Sequence, residues 1–115
     1  MKFFCKNIFD QVPAHLPDEL FQTLAENRHV KIERILSKGQ ASLPDFWYDQ
    51  PQDEWIILLQ GQARLQFAKD RTIITLTAGD YLFIPAHEQH RVDWTDPATI
   101  SLWLAIHLYE NPHHD

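Results

Sequence analysis

The span Gly79–His90, GDYLFIPAHEQH, constrains the fold more than any other stretch of this chain. A glycine turn opens it, and the apolar run Tyr81–Ile84 follows. Pro85 ends that run, because proline offers no amide proton to a sheet ladder. Upstream, Glu54–Gly61, EWIILLQG, sets a carboxylate at the head of an apolar run that closes on Gln60-Gly61. Gly61 supplies the positive φ that a tight turn needs. Both runs are short and bounded by turn residues, which is the pattern of strands.

The same rhythm recurs along the chain. His29–Leu36 alternates, with Val30 and Ile32 on one face and Lys31 and Glu33 on the other, as a half-buried strand does. Residues 37–51 hold Gly39, Pro44, Asp45, Asp49 and Pro51 and read as a long loop. Ala63–Phe67, the β-branched Thr72–Thr77, His90–Trp94 and Thr99–Tyr109 complete the set, with turns at Ala68–Arg71, Ala78–Asp80 and Asp93–Pro97. Short strands at regular spacing predict an all-β sandwich or small barrel with an inside and an outside. One helix is expected before them. Pro17 suits a first helical position, Asp18 and Glu19 complement its dipole, Leu20, Phe21 and Leu24 make an apolar stripe, and Asn27 is the stop.

At 115 residues the chain has room for one domain. Sixteen acidic against ten basic residues give a formal charge of -6 without a Lys/Arg cluster, so no nucleic-acid partner is expected. No apolar run approaches the ~20 residues that span a bilayer, so no membrane is expected either. The opening MKFFCKNIFDQ is interrupted by Lys6 and Asp10 and does not read as a secretory signal. The single cysteine, Cys5, excludes an internal disulfide and suits a cytoplasmic location.

Gly79, Pro85 and His90 keep the spacing of the second signature motif of the cupins, and Glu54 and Gly61 keep the end of the first. On these residues the stretch 37–109 resembles a small single-domain bacterial cupin with a degenerate first motif. The two first-motif histidines are absent. Their places fall on Tyr48 and Gln50, or on Trp47 and Asp49. In the second motif His87 replaces a glycine and Trp94 an asparagine. The resemblance implies a single double-stranded β-helix (jelly-roll) barrel with a short N-terminal helix. Residues 1–28 would form the N-terminal segment and its helix, 29–110 the barrel, and 111–115 a disordered tail.

A cupin site usually holds a metal ion with imidazoles and a carboxylate, a donor set that suits Fe, Mn, Zn, Ni or Cu. The resemblance implies Glu54 and His90 as ligands. His87 lies three residues from His90 and is the candidate third ligand, with Asp49 as an added oxygen donor. Two alternatives stand beside this. His90 is a barrel histidine paired with Glu54 and no metal, or His87 is an ordinary loop histidine facing water. Tyr48, Gln50, Trp94 and His107 are the candidate pocket residues for a small polar ligand. Trp103, Ala105 and His107 share one face of the last strand. The strand Glu54–Gln60 is apolar on both faces, so its outer face needs cover, and a homodimer is expected. The chain is therefore expected to be a small cupin of unassigned reaction with a divalent metal, or a non-catalytic small-molecule-binding or structural dimeric cupin without metal.

Overall fold

The structure is a computed structural model and describes residues 2–111. Eight strands among the described residues form two antiparallel sheets. In chain order they are β1 Leu20–Glu26, β2 Val30–Ser37, β3 Asp53–Gln60, β4 Gln62–Phe67, β5 Ile73–Thr77, β6 Tyr81–Ile84, β7 His90–Thr95 and β8 Ser101–Leu108. The larger sheet runs β1-β2-β8-β3-β6 and the smaller β5-β4-β7. This is the jelly-roll barrel expected from the strand rhythm. The tail residues 112–115 lie outside the described residues.

Gly61 is where the chain leaves one sheet for the other. Its φ is +92°, and a Cβ placed there would stand 2.6 Å from the Ser101 backbone. The turn therefore demands glycine on two grounds, backbone conformation and space. Between the sheets, Ile56, Leu58, Ala63, Leu65, Leu76, Ile84, Trp103 and Ala105 form the main core. Their parity on β3 follows the alternation, with Glu54, Ile56 and Leu58 buried and Trp55, Ile57 and Leu59 half-buried.

Two expectations are corrected. The stretch expected to be helical is the strand β1, paired antiparallel with β2 from Leu20↔Leu36 to Glu26↔Lys31. Asn27 does not cap a helix. Its side-chain oxygen accepts from the amides of His29 and Val30, both at 2.9 Å, and so shapes a hairpin turn. Apolar residues at 20, 21 and 24 fit a helical stripe, but the free edge of β2 offered a ladder, and pairing outweighed local propensity.

The faces of β2 are also reversed. Glu33 and Ile35 face the barrel interior, while Leu36 packs outward with Leu16 and Leu102. The N-terminal segment covers that outer face through Ile8, Val12 and Leu16. Arg34 fastens it, donating to the carbonyls of Ile8 and Asp10 at 2.8 and 2.6 Å and to Gln22 at 2.7 Å. A strand covered on both sides gives no reason to put its charged residues outside.

Candidate functional site

A cavity of about 90 Å³ opens at one end of the barrel. Three neighbouring strands of the larger sheet supply its polar head. Glu33 comes from β2, Glu54 from β3 and His107 from β8, and Glu54 pairs in register with His107. The smaller sheet supplies His90 at the start of β7. Ile35, Ile56, Leu65, Ile84, Val92 and Trp103 make the apolar wall. Glu19, Tyr48 and Gln50 stand toward the mouth, beside Phe21.

The loop 38–52 runs along the edge of β7 and brings Tyr48 and Gln50 to the cavity. The amides of Tyr48 and His90 bond each other's carbonyls at 2.7 and 3.2 Å, and the Ser42 amide donates to Val92 at 2.8 Å. The Tyr48 ring stacks on His90 at 5.5 Å between centroids. The turn after β6 is tied to the same loop, its His87 amide donating to the Gln50 carbonyl at 2.7 Å.

The head is a hydrogen-bonded cluster with one open member. The Gln52 amide donates to His107 Nδ1 at 3.1 Å, so His107 Nε2 carries the proton and donates to Glu33 Oε1 at 2.7 Å. That bond is the main reason the Glu33 pKa is lowered. His90 Nδ1 donates to the Glu88 carbonyl at 2.9 Å, which leaves Nε2 bare in the neutral ring. Glu54 lies 3.8 Å from His90 Nε2 and 3.7 Å from His107 Nε2, beyond hydrogen-bond distance from both. Its side chain is 9% exposed, and burial raises its pKa, although both imidazoles pull the other way. Burial likewise raises the pKa values of Glu19 and Tyr48.

The expected metal set is divided by the barrel wall. Glu54 and His90 face the cavity. His87 and Asp49 pair outside it at 2.8 Å, with side chains 69% and 43% exposed. That bond lowers the Asp49 pKa. His87 has a φ of +64°, the left-handed conformation that the glycine of the cupin pattern would adopt freely, and this backbone turns its side chain to solvent. Of the expected pocket residues, Tyr48, Gln50 and His107 line the cavity. Trp94 does not, and instead lies under the Arg64 guanidinium at 4.8 Å. Among the described residues no three His, Cys, Asp or Glu side chains are gathered to hold a metal ion. The His107 nitrogen nearest Glu54 is hydrogen-bonded to Glu33. As arranged, the groups form a proton-sharing cluster.

Glu33, Glu19 and Gln52 were not anticipated from the sequence. The parity of Lys31, Glu33 and Ile35 was the available signal for Glu33, since Ile35 could face the core only with Glu33 beside it.

The chain matches the family described as "Cupin domain" over residues 33–107. It belongs to the cupin family. Among solved structures it is similar to a "putative mannose-6-phosphate isomerase" from Ralstonia eutropha JMP134, with 47% identity and a TM-score of 0.88. That likeness covers 92% of this chain and 98% of the other. A cupin superfamily protein from Desulfitobacterium hafniense DCB-2 is 25% identical, with a TM-score of 0.71 over 86% of this chain and 84% of that one. An RmlC-like cupin with a double-stranded β-helix fold from Methanocaldococcus jannaschii shares the fold at 14% identity and a TM-score of 0.66, over 86% and 87% of the two chains. No curated protein matches the chain in sequence.

Proposed function

We propose that this cupin binds a small organic molecule in the barrel cavity and needs no metal ion to do so, with Glu54 as the group that receives it. One observation carries the reading. Glu54 is a buried carboxylate, open to the cavity, with no hydrogen bond from the protein. A buried carboxylate without a protein donor costs stability, and a ligand entering the cavity can supply the donor. His90 Nε2 and the Tyr48 and Gln50 side chains border the same space and can orient what enters.

The test is ¹⁵N NMR of full-length protein with a fragment library in EDTA, using His113→Ala and His114→Ala to remove tail chelation. Shifts should gather on Tyr48, Trp103 and His107, and Ile56→Trp should abolish them by filling the cavity. Elemental analysis accompanies it. Stoichiometric metal that is lost in Glu54→Gln and His90→Ala, with fragments binding only when metal is present, overturns the reading.

A second reading is an isomerase, favoured by the 47% identity to the Ralstonia protein whose name carries that activity. Glu54 would then take the proton from the carbon beside the carbonyl of a hydroxy-carbonyl compound and return it to the former carbonyl carbon, while the hydroxyl proton passes to the carbonyl oxygen. Product formation abolished in Glu54→Gln would select it over simple binding. The expected homodimer belongs to the same proposal, supported by Tyr81 and Phe83, which are 66% and 51% exposed on the edge strand β6. A monomer in sedimentation at micromolar concentration refutes that part. The single exposed Cys5 supports a cytoplasmic setting, and no helix among the described residues is long and apolar enough to cross a membrane.

A further inference from the structure

The charges that line the cavity limit what can enter it. Three carboxylates border it, Glu19, Glu33 and Glu54, and among the described residues no lysine or arginine does. Two are already engaged. Glu33 accepts a hydrogen bond from His107 and has the Lys31 ammonium 3.7 Å away, and Glu19 accepts from the Ser37 hydroxyl at 2.9 Å. Lys31 is thus spent on Glu33. The nearby guanidinium of Arg34 points into the N-terminal segment, and that of Arg91 onto Asp93, Gln66 and Ser42.

Glu54 is the independent observation. Its side chain is nine-tenths buried, faces the cavity, and receives no hydrogen bond. Its two imidazole neighbours do not supply one: His107 Nε2, at 3.7 Å, gives its proton to Glu33, and His90 Nε2, at 3.8 Å, is an acceptor in the neutral ring. A visitor must therefore bring donors. Tyr48 and Gln50 offer a few polar contacts, and the rest of the wall, with Ile35, Ile56, Leu65, Ile84 and Val92, is apolar and would strand most hydroxyls of a polyol. One polar donor end on a compact apolar body satisfies both parts. A phosphate or carboxylate would meet acceptors of its own sign.

We propose that the cavity selects small organic cations, an ammonium group on a compact apolar body seated at Glu54, and rejects anionic molecules such as sugar phosphates. The inference rests on the reading of the cavity as a ligand site. It adds a charge preference that the reading alone does not require.

The test uses isosteres that differ only at the head. Isobutylammonium, isobutanol and isobutyrate are titrated into the full-length protein at neutral pH, followed by amide shifts at Trp103 and His107. Mannose 6-phosphate is the fourth probe. A charge-assisted bond is about twice as strong as a neutral one, so isobutylammonium should bind roughly tenfold more tightly than isobutanol. Isobutyrate and mannose 6-phosphate should not bind. In Glu54→Gln the preference for ammonium over alcohol should shrink to about threefold or less. The exterior variant His87→Ala should keep the full preference. Isobutanol, isobutyrate or mannose 6-phosphate binding in the cavity as tightly as isobutylammonium overturns the charge preference and leaves the ligand site standing. Silence of all four probes at millimolar concentration overturns both.

Discussion

Replacing Glu54 with glutamine should stabilise the protein, and the gain should depend on pH. The carboxylate is buried beside two imidazoles at 3.7 and 3.8 Å, neither of which hydrogen-bonds it. An unpartnered buried polar group costs about 1–3 kcal/mol, and more when charged. Glutamine keeps the shape and the polar head but removes the charge, so a gain of about 1–2 kcal/mol is expected at pH 8. At this chain length that corresponds to roughly 4–8 °C in Tm. The sign follows from burial. The folded-state pKa of Glu54 is raised above its unfolded value, so the folded protein holds that proton more tightly. Wild type loses stability as pH rises from the unfolded value through the folded one, and the variant does not. Glu19 is shifted the same way but is present in both proteins, so it cancels in the difference. Urea unfolding at pH 4 and pH 8 measures the effect, which should shrink at the lower pH as Glu54 takes up its proton. A variant less stable than wild type at pH 8 would refute the reasoning, because it would mean that charged imidazoles hold the carboxylate more strongly than burial repels it.

Glu33 should respond with the opposite sign. Its pKa is lowered by the His107 bond, so its contribution is present above the unfolded value and fades as pH falls through the folded one. Glu33→Gln should therefore lose about 1.5–3 kcal/mol at neutral pH in the same urea assay. Gly61→Ala should be far more damaging than Gly79→Ala, although both glycines have positive φ. A Cβ at Gly79 meets nothing within 4 Å and costs only the left-handed conformation, about 1–2 kcal/mol, whereas at Gly61 it meets the Ser101 backbone and hydroxyl. Thermal unfolding of the two variants ranks them. His87→Gly should gain up to about 1 kcal/mol, since its +64° φ suits glycine and its side chain touches only exposed Asp49. A loss on that substitution would show that the His87–Asp49 contact outweighs the backbone strain.

The barrel was legible because its strands are short, alternating and punctuated by Gly61, Gly79 and Pro85, each with a physical reason to stand where it does. Glu54 and His90 were legible through the spacing they share with the cupins, and His107 through its parity with Trp103 on β8. His87 was misleading as a donor because spacing records the distance between residues and not the sign of φ. A left-handed residue sends its side chain elsewhere. The helix and the inward Glu33 failed for one shared reason. Both depended on what covers β2, which is a strand at its edge and an N-terminal segment on its back. Cover of that kind is set by pairing and packing between segments, and no period within one segment encodes it.

The backbone bridge between Tyr48 and His90 joins two tasks that many binding proteins keep apart. The loop carrying Tyr48 and Gln50 borders the cavity, and its attachments run to Val92, His90 and His87. On the ligand-site reading, moving this loop aside breaks bonds on the strand that presents His90. Admission and recognition therefore share one set of hydrogen bonds. Residence time should follow how firmly the loop is tied as well as what the cavity holds, and changes at Ser42 or Tyr48 that loosen it should speed release and blur selectivity together.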